Sequence, residues 1–313
     1  MFVYGIIDMS RGERSLPPMA EKENKKMRTV KPLDKRRQYY LVLDCETATL
    51  PCANKYTAEQ KKKIAIAKPL IYDLAWQIID KSGKVYRKKA YLITEIFSVP
   101  EIFNTAYYAS KRPLYIEKLN KGEITLTSWK SATEDFVNDL AEICSVGAYN
   151  SMFDFKKAIP FTEYYIKHLY SADFHEWLEW QSRVCDDIAK GKGKENEKEF
   201  NQYYFTFRGI SYKLFDIWGL SCENILNCDE FKGMCKENEW STASGKYYPT
   251  NAEKTYAFLT NNTEFNESHT ATEDTEIECE ILAEVFRRVK PKNMTMGIIY
   301  FPFRILGKIE ESE

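Results

Sequence analysis

The stretch Tyr39-Tyr40-Leu41-Val42-Leu43-Asp44-Cys45-Glu46-Thr47 decides the fold. Its first five residues are all apolar or aromatic and leave no polar face, so the run reads as a strand buried on both sides in the middle of a sheet. It ends in acid. Asp44 and Glu46 lie two apart, and in extended chain both side chains point to one side of the sheet. Two anions at the mouth of a buried strand repel unless a cation neutralises them, and paired carboxylates are what a hard Mg²⁺ or Mn²⁺ site requires. Taken alone, the pair reads more readily as a solvated strand end.

Working outward, Thr57 with Gln60 predicts a capping box ahead of a Lys-rich helix. Strand patterns follow at about 71 to 80 and 85 to 93, with Ser82-Gly83 as their turn. Ser131 with Glu134 predicts a second capped helix, whose Phe136, Val137, Leu140, Ile143 and Cys144 share a face, running into a strand from Val146 to Tyr149. Ile210 to Trp218 reads as another strand, Asn251 caps a helix through Leu259, and a last helix runs from about 270 to 289. The order β, β, β, α, β, α, then β, α, α predicts an α/β fold, a mixed sheet flanked by helices.

Residues 1–37 are charged, broken by prolines and aperiodic, and read as a disordered or loosely attached leader. The main domain is expected over 38–290, with 291–313 as a C-terminal tail. An insertion at about 160–210 interleaves Tyr164, Tyr165, Tyr170, Trp177, Trp180, Tyr203, Tyr204 and Phe205 with Lys and Arg. It includes an expected exposed loop, Lys190-Gly-Lys-Gly-Lys-Glu-Asn-Glu-Lys. Such a segment is either a small aromatic core or a stacking surface for single-stranded nucleic acid.

The chain has 313 residues, 44% hydrophobic, enough for a full core. Lys+Arg of 45 against Asp+Glu of 46 leaves a net charge of -1, so total charge gives no argument for a nucleic-acid partner. The 8 cysteines form no CxxC pair and read as reduced thiols of a cytoplasmic protein. Cys222, Cys228 and Cys235 match no common zinc template. No apolar run approaches the roughly 18 residues of a membrane span, so no membrane partner is expected.

Two further acids join the first pair. On the last helix Ile277, Ile281, Leu282, Val285, Phe286 and Val289 follow the helical period, and Asp274 falls one turn before Ile277 on that stripe. It therefore faces inward and needs a cation or a proton, unless it is simply a helix-start acid. Asp154 follows a strand end in Tyr149-Asn150-Ser151-Met152-Phe153-Asp154, where Asn150 or Ser151 would cap a helix. Strand-end sites of this kind converge at one edge of an open sheet.

In order along the chain, Asp44-Cys45-Glu46-Thr47, Asn150-Ser-Met-Phe153-Asp154 and His269-Thr-Ala-Thr-Glu-Asp274 resemble the DxET, NxxFD and HxxxxD motifs of the DEDDh 3′→5′ exonuclease family. Ile71-Tyr72-Asp73-Leu74-Ala75 and Phe215-Asp216-Ile217-Trp218 are similar to its second strand and to the strand after the second motif. The resemblance spans about 39–290, and the long insertion also looks like the exonucleases of bacterial viruses. It implies a ribonuclease H-like fold, a bacterial or phage-infected cytoplasm, and two divalent cations, Mg²⁺ or Mn²⁺. Asp44 would bridge both cations, Glu46 and Asp274 would complete one position, and Asp154 would support the other. His269 would be the general base, with the Thr47 backbone, Asn150 and Phe153 against the terminal nucleotide. The expected partner is nucleic acid with a free 3′ end, single-stranded DNA ahead of RNA, with a polymerase or replication complex as a candidate protein partner. The runner-up is a nucleic-acid-binding module with weak or no nuclease activity.

The chain departs from the family at Ala48, where glycine is common, and at Tyr149, where histidine often precedes the asparagine. His168 with Asp173 repeats the HxxxxD spacing, and Tyr212 with Asp216 mimics the YxxxD of a sister family. The first lies before the strand that ends near Asp216, and the second lies within a strand pattern.

Overall fold

The run at 39–43 enters β1 (Tyr40–Thr49), whose Leu41, Val42 and Leu43 are fully buried. The computed structural model describes residues 32–50, 56–169, 174–189 and 201–309, with only the backbone course given over 174–181. After β1 come α1 (Ala58–Ala67), β2 (Pro69–Ile79), β3 (Val85–Ile93), the short α2 (Thr94–Phe97) and α3 (Pro100–Phe103), then α4 (Arg112–Lys121) and β4 (Thr125–Thr127). Next are α5 (Trp129–Leu140), β5 (Ser145–Ala148), α6 (Ser151–Phe153), α7 (Ile159–Leu169) and α8 (Phe174–Ala189). The hairpin β6 (Tyr204–Phe207) and β7 (Ile210–Asp216) leads to α9 (Ile217–Ser221), α10 (Asp229–Glu237), α11 (Ala252–Thr260) and α12 (Ala271–Arg288).

The strands make one seven-stranded mixed sheet in the order β4-β3-β2-β1-β5-β7-β6. Strands β2 and β6 run against the other five. Helices flank the sheet, and α12 packs against β1 and β2. Its Ile277, Ile281, Leu282, Val285 and Phe286 are the buried face, so the helical period read from sequence is the face that seats the helix. Tyr40 meets Phe286 at 4.6 Å between ring centroids, tying the first strand to the last helix. At the β5–β7 junction a Cβ on Gly147 would stand 2.1 Å from the Phe215 ring, so the strands meet there only without a side chain.

Several local readings hold. The Thr57–Gln60 box is formed in both directions, at 3.2 and 2.9 Å. Gly83 turns β2 into β3 at φ 81°, left-handed backbone that glycine takes without strain.

Others are corrected. Helix α5 is capped by Ser128, whose hydroxyl accepts from the Ser131 N–H at 3.2 Å; Ser128 has the extended backbone a cap needs, and the helix starts earlier than Ser131 and Glu134 suggest. It ends at Leu140, leaving Cys144 exposed. β7 stops at Asp216 because that carboxylate caps α9, turning Ile217 and Trp218 into helix.

Residues after α12 pack back on the domain: the Gly297 N–H donates to Leu214 O at 2.7 Å, and Met294 and Leu306 join the core. Of the expected leader, 1–31 lie outside the described residues, as does the loop at 190–198. Among the described residues, no helix is long and apolar enough to cross a membrane.

Candidate functional site

The strand does not end in acid as expected: β1 runs on to Thr49 because its pairing with β2 continues past the acids, so Asp44 and Glu46 stand within it, just before the pairing is interrupted. Asp44 stands opposite Ala75 and Glu46 opposite Asp73, and the register slips between Glu46 and Thr47. Such a bulge re-aims side chains and is common beside active sites.

Asp154 arrives from β5. Asn150 caps the chain after that strand, its side chain accepting from the Phe153 N–H at 3.3 Å, and Asp154 opens a π-helical turn, Asp154–Ala158, before α7. Widened turns of this type recur at functional positions. Asp154 is 3% exposed, and its Oδ1 accepts from the Cys45 thiol at 3.0 Å, so the residue between the two β1 acids orients the third.

Asp274 lies in the first turn of α12, 8% exposed. The cap residue Thr270 makes no side-chain cap bond; instead Asp73 of β2 accepts from the Ala271 N–H at 3.0 Å. One carboxylate thus seats the helix beside the strand pair that carries Glu46, and the helix dipole favours the anion.

His269, immediately before that cap, has φ 50°. Its ring stacks on Tyr108 at 4.5 Å and 12°, and Nδ1 is 3.6 Å from Glu267 Oε2. Lys111 lies over the Tyr108 ring at 4.3 Å and donates to the Ser268 carbonyl.

These segments enclose a cavity of about 270 Å³ lined by Asp44, Glu46, Asp154, Asp274 and His269, with Asn150 and Phe153 at its wall. Ligand atoms of Glu46, His269 and Asp274 all lie within 4.8 Å of one another. Thr47, beyond the bulge and paired with Ile71, does not line the cavity. A larger cavity of about 590 Å³ adjoins it through Tyr149 and Asn150, lined also by Trp218, Lys254 and Phe303.

Electrostatically the acids are held against their charge. Burial, then the surrounding carboxylates, raises Asp44 and Glu46 well above the usual range. Burial pushes Asp154 up to about 7, and burial followed by Glu267 pushes Asp274 up to about 8. Lys111 opposes the shift at Glu46 and Asp274. His269 moves the other way: burial first, then Lys111, holds its imidazole below 6.5. Asp274 Oδ1 is buried without a hydrogen-bond partner among the described residues. Buried oxygens left unpaired among repelling carboxylates are what a hard divalent cation satisfies, so the donor set fits Mg²⁺ or Mn²⁺.

The competing motifs resolve differently. His168 sits in the last turn of α7, with Nδ1 2.7 Å from the Tyr164 carbonyl, and does not line the cavity; Asp173 lies outside the described residues. Asp216 accepts from the backbone N–H groups of Ser151 at 3.1 Å and Gly219 at 3.2 Å, so it braces two helix starts. Cys222 and Cys235 are buried in the apolar core, and burial pushes both thiols up to about 12, against the thiolate that zinc requires. The aromatic insertion splits: Tyr165 and Phe205 are core, whereas Tyr164, Tyr203 and Tyr204 are exposed. The side chains of Tyr170, Trp177 and Trp180 lie outside the described residues.

Sequence reasoning missed Asp73 as the brace of α12, and Tyr108, Glu267 and Glu278 in the lining. Tyr108 and Glu267 carry no periodic signal. Glu278 did, as an acid among the buried positions of α12. No protein-family model matches the chain, and no curated protein sequence does.

Proposed function

We propose that the protein is a two-cation 3′→5′ exonuclease of the DEDDh type, with a ribonuclease H-like fold, that trims single-stranded DNA and releases nucleoside 5′-monophosphates. The observation that carries this reading is the convergence of Asp44, Glu46, Asp154, Asp274 and His269, from three separate segments, on one small acidic cavity. The mixed sheet with flanking helices, with two motif acids within β1 and a third in the turn after β5 and α6, supports it further.

When bound, divalent cations neutralise charge growing on the scissile phosphate and lower the pKa of water. Asp44, Glu46, Asp154 and Asp274 would hold them. His269 accepts the proton of the attacking water: its imidazole is kept neutral at working pH by burial and Lys111, and stacking on Tyr108 limits its ring rotation. Asn150 and Phe153, on the wall of the cavity, orient the terminal nucleotide. The adjoining cavity offers the Trp218 and Phe303 rings and the Lys254 ammonium to the next one, a base-stacking and phosphate-pairing combination.

Single-stranded DNA, single-stranded RNA and duplex ends, each labelled at 5′ and incubated with Mg²⁺ or Mn²⁺, test this directly. A ladder shortening from the 3′ end on single-stranded DNA, absent with Asp44→Ala, is expected. Preferred RNA shortening would move the substrate class, and no shortening of any substrate would overturn the nuclease reading.

A further inference from the structure

The three motifs account for four carboxylates, and the cavity holds a further one that they leave unexplained. Glu278 stands one helical turn beyond Asp274 on α12, between the buried residues Ile277 and Ile281, and is 2% exposed. It accepts from the backbone N–H of Tyr149 just after β5, while its Oε2 is buried with no hydrogen-bond partner among the described residues. The side chain lines the same cavity as Asp44, Asp154 and Asp274.

Burial, then the charges of Asp154 and Asp274, pushes Glu278 well up, and Glu278 in turn adds to the upward push on Asp44. Ligand atoms of Glu46, His269 and Asp274 lie mutually within 4.8 Å, a group to which Glu278 does not belong. Lys111 opposes the shifts at Glu46 and Asp274, and Lys118 lies 2.7 Å from Glu273. Simple packing does not explain an acid here, because a buried unpaired carboxylate costs several kcal/mol that leucine at this position would avoid. A protonated carboxyl does not either. Its hydroxyl needs an acceptor, and Oε2 has none among the described residues.

Resting on the two-cation reading, we propose that Glu278 is a fifth carboxylate of the metal centre, holding a cation together with the carboxylates that line the same cavity. The added carboxylate then helps to hold that cation before nucleic acid arrives, so the substrate phosphate is not needed to recruit it.

Calorimetric titration of Mn²⁺ into the chelator-stripped full chain, without nucleic acid, tests this. Wild type is expected to bind two Mn²⁺, and Glu278→Gln to keep one while losing the other or weakening it at least about tenfold. Glutamine still accepts from the Tyr149 N–H, and the metal-free melting temperature of the variant should equal or exceed wild type because a repelled charge is gone. Should Glu278→Gln fail to fold, Glu278→Asp keeps the charge but withdraws the carboxylate, and the same Mn²⁺ should weaken. Two Mn²⁺ bound with wild-type affinity by either folded variant would overturn the proposal, as would wild-type protein that binds fewer than two. Binding is read apart from turnover, so a chain that binds two Mn²⁺, loses one in Glu278→Gln and yet shortens no nucleic acid would sustain the ligand role and reject the nuclease.

Discussion

Stripping the protein of cations and raising the pH from about 4 to about 8 should unmask the repulsion among its site carboxylates. Burial moves Asp154 from the ordinary 3.8 to about 7 and Asp274 from 3.8 to about 8. An acid whose folded pKa lies above its unfolded value holds its proton more tightly in the folded state. Its stabilising effect is complete below the unfolded value of 3.8 and is lost as the pH climbs through about 7 to about 8. Each tenfold change in proton affinity is worth about 1.4 kcal/mol, so Asp154 alone forfeits about 4 kcal/mol across the window. The carboxylates face one another and titrate as a cluster, so one proton is the smallest change expected. At roughly 2 °C per kcal/mol for a large domain, the melting temperature should fall by about 8 °C. The assay is scanning calorimetry in chelator across the pH series, on wild type and Asp154→Asn. The variant should fall less and be the more stable of the two at the alkaline end. Saturating Mn²⁺ should reverse the wild-type trend, because ligation requires deprotonated carboxylates. Parallel falls in the two proteins, or a wild-type melting temperature that rises across the window, would refute the reasoning.

Asp44→Ala, Glu46→Ala, Asp154→Ala and Asp274→Ala should each remove nearly all 3′ trimming while the far-ultraviolet circular dichroism persists; activity retained in two of them would sink the assignment. Chelation should abolish trimming, Mg²⁺ or Mn²⁺ should restore it, and Ca²⁺, with its looser geometry, should support little; strong turnover in chelator would contradict the cation mechanism. His269→Ala should lower kcat roughly 10²-fold or more with little change in substrate binding, and the acid limb of the wild-type kcat/KM profile should lie below 6.5, whereas His168→Ala should do far less. Replacing the exposed Tyr164, Tyr203 and Tyr204 by Ala should raise KM for single strands with kcat and folding nearly unchanged; an unaltered KM would return these rings to a purely structural role.

What could be read from the sequence alone was whatever is encoded by short-range spacing. The apolar run before Asp44 announced a central strand because β2, β5 and the helices leave it no solvated face. The stripe on α12 announced which way Asp274 points, because 3.6-residue periodicity survives folding unchanged. The ends of elements were less legible, since they turn on which polar side chain reaches a free N–H: Ser128 rather than Ser131 begins α5, and Asp216 ends β7 by capping α9. The assembly of the site belonged to the tertiary structure. Asp73 reads in sequence as one more strand residue, yet it caps α12 from a strand far away in the chain. Tyr108 and Glu267 come from segments without periodicity and matter only because the fold sets them against His269. Glu278 shows the division most clearly: its spacing from Asp274 was visible throughout, but burial, an unpaired oxygen and the nearness of Asp44 and Asp154 arise only when α12 lies across β1 and the end of β5. Spacing along a chain fixes a side chain's direction from its own element, whereas the charge, dielectric and partners that direction meets are properties of the packed neighbours.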